Sequence, residues 1–123
     1  MRMSKADWPK ATFEGEVYQF LTTCFDIDAA LEIVKGREPV MVDMTGAYQG
    51  LVFNRVDKEH AKTVDLDKPI LIADIASTTD TPDQPCYMPI DGWHRIWRGH
   101  HEGREALPAI VMTSEETDHI MRR

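Results

Sequence analysis

An alternating apolar run that stops at a glycine and opens into helix-compatible sequence leaves a chain few choices beyond strand, sharp turn and helix. Residues Tyr87 to Arg95 (YMPIDGWHR) have that form. The turn at Asp91-Gly92 aims the first backbone N–H groups of the helix, and the positive end of its dipole, at one point. His94 and Arg95 stand in the first helical turn, so the segment reads as a pocket for an anion, most naturally a phosphate. The simpler reading has Asp91 capping the helix while His94 and Arg95 sit solvated on its polar face.

The flanking sequence supplies partners for this unit. Residues 1–12 read as a loosely held arm with Trp8-Pro9 as an anchor, and Glu16 to Thr23 (EVYQFLTT) as a strand. Asp26 then caps a helix whose stripe is Ala29, Ala30, Ile33 and Val34 and whose stop is Gly36. Pro39 to Thr45 is a second strand ended by Gly46, 46–56 is ambiguous, and Asp57 to Val64 is a short helix. Pro69 to Ile75 (PILIADI) is a largely apolar strand, Ala76 to Pro85 a polar connection, Trp93 to Glu102 a helix ended by Gly103, and Leu107 to Met112 a strand. Thr113 to Glu116 fits a capping box opening a last helix to Met121. Without strict βαβ alternation, this order predicts an α+β domain: a compact mixed sheet with short helices. The 123 residues suit one domain, with 1–38 as an N-terminal arm plus strand-helix extension, 39–112 as the core and 113–123 as the terminal helix.

The formal net charge of −7 disfavours free DNA binding, which needs phosphates neutralised by Lys and Arg. The basic residues Arg95, Arg98 and Arg104 nevertheless share one segment with His94, His100 and His101, a local site suited to a small anion. Cys24 and Cys86 make neither a disulfide framework nor a metal motif, so reduced thiols are expected. No run approaches the length of a membrane span, and the polar start MRMSKADWPK lacks a signal-peptide core; the expectation is a cytoplasmic protein.

At this point the chain resembles the ParB/sulfiredoxin-like superfamily. The resemblance runs from about Pro39 to Met112 and rests on PVMVDMT, VDKEHAKTV, PILIADI, YMPIDGWHR and LPAIVM in that order. Relatives carry Gly-x-His-Arg or Gly-Glu-Arg-Arg in the place of Gly92 to Arg95. The resemblance implies a nucleotide pocket in which Gly92, His94 and Arg95 hold phosphates of ATP or CTP with Mg²⁺, for phosphotransfer or hydrolysis. It also implies that His60 and Thr63 stand where the preceding helix of sulfiredoxins helps hold phosphate. The chain departs from the family at Trp93, where sulfiredoxins carry their cysteine, and lacks the downstream motif of the partition-type CTPases.

Within this reading Asp91 is a cap or a catalytic carboxylate, His94 a donor to a phosphoryl oxygen, and Arg95 a bidentate grip. Arg98, one turn beyond His94, reaches for the same anion. Asp43 is a second candidate carboxylate, provided that its strand neighbours the YMPI strand. Trp93, Ile96, Trp97 and His100 recur at helical spacing and read as core packing. His94 and His101 stand too far apart to share a metal ion. The competing function is a non-catalytic protein-interaction module, encoded by a mobile element, that keeps the fold and binds a protein partner. Oligomeric state is not legible.

Overall fold

The computed structural model describes residues 2–123; Met1, the first residue of the expected arm, lies outside them. In chain order the elements are β1 (Val17–Phe20), β2 (Thr23–Asp26), α1 (Ile27–Val34), β3 (Val40–Asp43), α2 (Thr45–Gln49) and α3 (Lys58–Ala61). There follow β4 (Ile70–Asp74), β5 (Tyr87–Asp91), α4 (Trp93–His101), β6 (Ala106–Val111), α5 (Ser114–Ile120) and β7 (Met121–Arg122). Single 3-10 turns stand at Lys5–Asp7, Gly50–Phe53 and Ala76–Thr78.

The mixed α+β expectation holds, with two sheets rather than one. The larger sheet has the order β3-β6-β4-β5, in which β6 and β4 run parallel and both edges are antiparallel. The run PILIADI is apolar throughout because β4 is covered on both faces. Ile70 and Ile72 enter a core with Trp93 and Ile96 of α4, while Leu71 and Ala73 enter a second core with Ile27, Ala30, Ile33 and Ile120. The helices therefore form two layers around the sheet, α4 on one side and α1 with α5 on the other.

The smaller sheet, β1-β2-β7, corrects two expectations. Glu16 to Thr23 is not one strand but a hairpin arm and the start of its partner. The chain reverses at Leu21, which adopts φ 55°, and Phe20 pairs with Thr23. No Gly, Asn or Pro marks this turn, so local chemistry does not signal it. The last helix also stops one residue early, and Met121 pairs with Phe25. The N-terminal third is thus part of the core rather than an appended extension. Gly46 does not end a strand either; it lies inside α2.

Several local readings hold. Asp26 accepts from the Ala29 N–H at 3.0 Å and caps α1, and the stripe Ala29, Ala30, Ile33 and Val34 is buried. Trp8 packs edge-on to His119, whose Nε2 donates to the Pro9 carbonyl at 2.7 Å, so Trp8-Pro9 does anchor the arm. Of the α4 stripe, Trp93 and Ile96 are buried, Trp97 stacks on His101 at 3.7 Å, and His100 stays exposed against Tyr48. Among the described residues no helix is long and apolar enough to cross a membrane.

The capping box of α5 carries more than a helix start. Glu116 accepts from the Thr113 N–H at 2.9 Å and also receives both terminal nitrogens of Arg37, with the two side chains only 9% and 5% exposed. Burial works against the Glu116 anion, but hydrogen bonds from Arg37 and Thr113 and the Arg37 charge outweigh it and hold the carboxyl below its ordinary 4.5. Because the folded value lies below the unfolded one, this stabilisation is complete above pH 4.5 and is lost as the pH falls through the folded value. Arg37→Met, which leaves a buried carboxylate unpaired, should cost about 3–5 kcal/mol. Urea unfolding at pH 7 measures this loss, and the gap between the two proteins should narrow on acidification below pH 4.5.

Candidate functional site

The antiparallel register places Leu71 opposite Asp91, so the chain ahead of Leu71 runs past the end of β5 and flanks the turn. That turn is tight for a physical reason. Gly92 has φ +99°, and a Cβ there would lie 2.7 Å from Ile70 Cγ2 and 2.9 Å from Arg95 Nη2. The residue is required both for its backbone angle and for the closeness of its neighbours. Gly92, not Asp91, is the N-cap of α4, and no side chain caps the helix start. This corrects the capping role expected for Asp91.

Asp91 instead faces Arg95, Oδ2 to Nη2 at 3.6 Å. Arg95 is only 9% exposed, and its Nε has no hydrogen-bond partner among the described residues. A buried guanidinium with one loose carboxylate contact and an unpaired donor is under-satisfied. Asp91, His94, Arg95 and His60 share a cavity of about 540 Å³ whose floor includes Ile70 and Leu71. Lys68, Glu16 and Asp65 add to its charged lining.

None of these three is legible as a site residue in the sequence. Lys68 reaches the cavity because Pro69 and Ile70 lead β4 past Gly92, which only the strand register reveals. Glu16 arrives from the unforeseen hairpin. Partial burial, then the carboxylates of Asp91 and Asp28, raise the Glu16 carboxyl above its ordinary value, while Arg95 and Lys68 oppose the rise.

His94 is turned to another purpose than expected. Its Nε2 accepts from the Asp57 N–H at 3.1 Å, and its ring meets His60 edge-on at 4.9 Å. That nitrogen carries no proton, so in this arrangement it cannot donate to a phosphoryl oxygen; only Nδ1 can. Asp57 itself caps α3 through Glu59 N–H and His60 N–H, so His94 fastens α3 to the start of α4.

The remaining candidates separate from the pocket. The Thr63 hydroxyl donates to the His60 carbonyl at 2.8 Å, closing its own helix end, and the residue does not line the cavity. Arg98 donates Nη1 to the Val64 carbonyl and Nε to Glu102 at 2.6 Å, so its charge is already engaged. Asp43 lies on β3, the edge opposite β5, and its Oδ1 accepts from Thr45 N–H at 2.8 Å. The adjacency its catalytic role required is absent. Among the described residues no group of three or more His, Cys, Asp or Glu side chains is arranged to hold a metal ion.

No protein-family model matches the chain, and neither a curated protein nor a solved structure matches it.

Two outcomes follow from this geometry. Gly92→Ala should destabilise the fold by about 1–3 kcal/mol through backbone strain, with added crowding at Ile70, as read from urea midpoints. Nitrogen-15 NMR at pH 8 should find His94 as the Nδ1–H tautomer, and replacing Asp57 would not remove its backbone donor.

Proposed function

We propose that the protein is a ParB/sulfiredoxin-like nucleotide-binding protein that holds the phosphates of ATP or CTP beside the Gly92 turn. The observation that carries this reading is Arg95: a buried guanidinium with an unpaired Nε, next to a helix start that no side chain caps. Support also comes from the order of parts in the sequence, with the strand, Gly turn and His-Arg pair in their expected relation.

The charges around the cavity refine the ligand. Lys68 and Arg95 are balanced by Glu16, Asp65 and Asp91, so a bare polyanion would meet carboxylates as well as cations. A Mg²⁺-bridged triphosphate matches both signs. Mg²⁺ is ordinarily held by one or two carboxylates plus substrate phosphates, which suits a pocket without a metal cage of its own. On this reading Asp91 would contact such an ion, and Arg95 and Lys68 would hold the phosphates. Bound Mg²⁺ would supply charge neutralisation for phosphotransfer or hydrolysis.

Thermal-shift titration with ATP, CTP and GTP, each with and without Mg²⁺, tests the reading. A nucleotide at a hundred times its Kd should add about 2.7 kcal/mol of stability and raise Tm by several degrees, with Mg²⁺ required. Lys68→Ala, at an exposed position, should weaken binding severalfold without loss of fold. Arg95→Lys should weaken it about tenfold, since the point charge lacks the guanidinium fork. No stabilisation by any nucleotide at millimolar concentration would remove the proposal.

A further inference from the structure

On the other side of the Gly92 turn lies a second cavity of about 410 Å³, with no part in the reading above. Its walls gather aromatic rings: Tyr18, Phe20, Phe53, Tyr87 and Trp93 line it, half of the chain's ten aromatic residues. Gly46, Ala47 and Gly50 also line it; a Cβ on Gly46 would meet nothing within 4 Å, and Gly50 lets the Trp93 ring approach, since a Cβ there would lie 2.9 Å from it. Phe53 and Tyr87 at the mouth are 74% and 60% exposed, large apolar surfaces left to water. Isolated exposed rings need no explanation, but rings converging on one concavity mark a binding surface.

The charge at this cavity has one sign. Asp43 is the only ionisable acid or base among its lining residues apart from the two tyrosines; no Lys, Arg or His faces it. Among the described residues the cation–π contacts lie elsewhere, Lys5 over Trp8 and Arg122 over Phe13, and none is made to a ring of this cavity. Ring faces carry negative potential and attract a cation shielded from full hydration. A carboxylate at the rim of the same cavity adds to that attraction and repels anions, as does the net charge of −7. One polar corner is present: the Tyr18 hydroxyl donates to Asn54 Oδ1 at 2.5 Å, and Asn54 Nδ2 donates to the Gly50 carbonyl at 2.8 Å. The Trp93 indole N–H stands near that hydroxyl without forming a hydrogen bond of ordinary geometry.

We infer that this aromatic cavity, with Asp43 at its rim, is a binding site for a small alkylated ammonium cation carrying a short hydroxyl-bearing arm. The rings receive the alkylated nitrogen, Asp43 supplies the counter-charge, and the Tyr18-Asn54 corner receives the hydroxyl. The inference does not depend on nucleotide binding, because the two cavities present different side chains and opposite selectivity.

Choline and its uncharged carbon isostere 3,3-dimethylbutan-1-ol separate charge from shape, and both are titrated by calorimetry and by NMR of the tryptophan indole signals. Choline should bind and perturb the Trp93 signal, with the isostere about tenfold weaker or more. Asp43→Asn, which keeps the acceptor for Thr45 N–H, should weaken choline at least threefold and leave the isostere unchanged. Phe53→Ala, at a largely exposed position, should weaken choline without altering the unfolding midpoint. Equal affinity for choline and the alcohol would overturn the proposal in favour of a merely apolar pocket. So would an unchanged choline affinity in Asp43→Asn, or no binding of choline at tens of millimolar.

Discussion

With Ile70 and Ile72 facing one helical layer and Leu71 and Ala73 the other, β4 has no solvent side, and its neighbours must be arranged to seal both faces. That requirement accounts for the position of α4 against one face and of α1 and α5 against the other. It also accounts for the closeness at Gly92, because a helix that starts directly after β5 must lay its first turn on Ile70. A side chain at that point would push the helix off the sheet. The geometry of the candidate site is therefore a by-product of sealing a two-sided strand, which a glycine at the turn makes sterically feasible.

The first turn of α4 divides the molecule's chemistry. Trp93 lines the aromatic cavity, while His94 and Arg95, the next two residues, line the charged one. Successive helical positions point about a hundred degrees apart, so neighbours in sequence can serve opposite sides. The polarity of the two sides differs accordingly. One gathers Lys68 and Arg95 against Glu16, Asp65 and Asp91; the other holds rings and a single carboxylate. A third cavity, lined by Gly92, Trp93 and Asn54 among others, shares residues with both.

What could be read in advance follows from how local each signal is. The caps at Asp26 and Thr113, the stop at Gly103 and the strand-turn-helix at Asp91 to Arg95 depend on residues within a few positions, and they are where the sequence places them. The hairpin at Leu21 lacked any turn residue and was invisible for that reason. Asp43 was assigned by strand adjacency, a property of topology that spacing does not encode; β6 and β4 stand between β3 and β5. The part His94 plays at Asp57 could not be foreseen either, because it depends on where a short helix docks. Arg95 is a candidate from the sequence alone, yet the feature that distinguishes it, an unpaired buried nitrogen, emerges only from packing.

The pairing of β2 with β7 joins Cys24 to Arg122, positions about a hundred residues apart along the chain. Such contacts close the longest loops a domain of this size can contain, and loop closure of that kind slows folding. During synthesis the hairpin and α1 emerge well before their third strand, which follows about a hundred residues later. The core around Phe25 and Ile33 therefore stays incomplete until Ile120 and Met121 arrive. The burden of that delay falls on whatever keeps a nascent chain from aggregating on the ribosome.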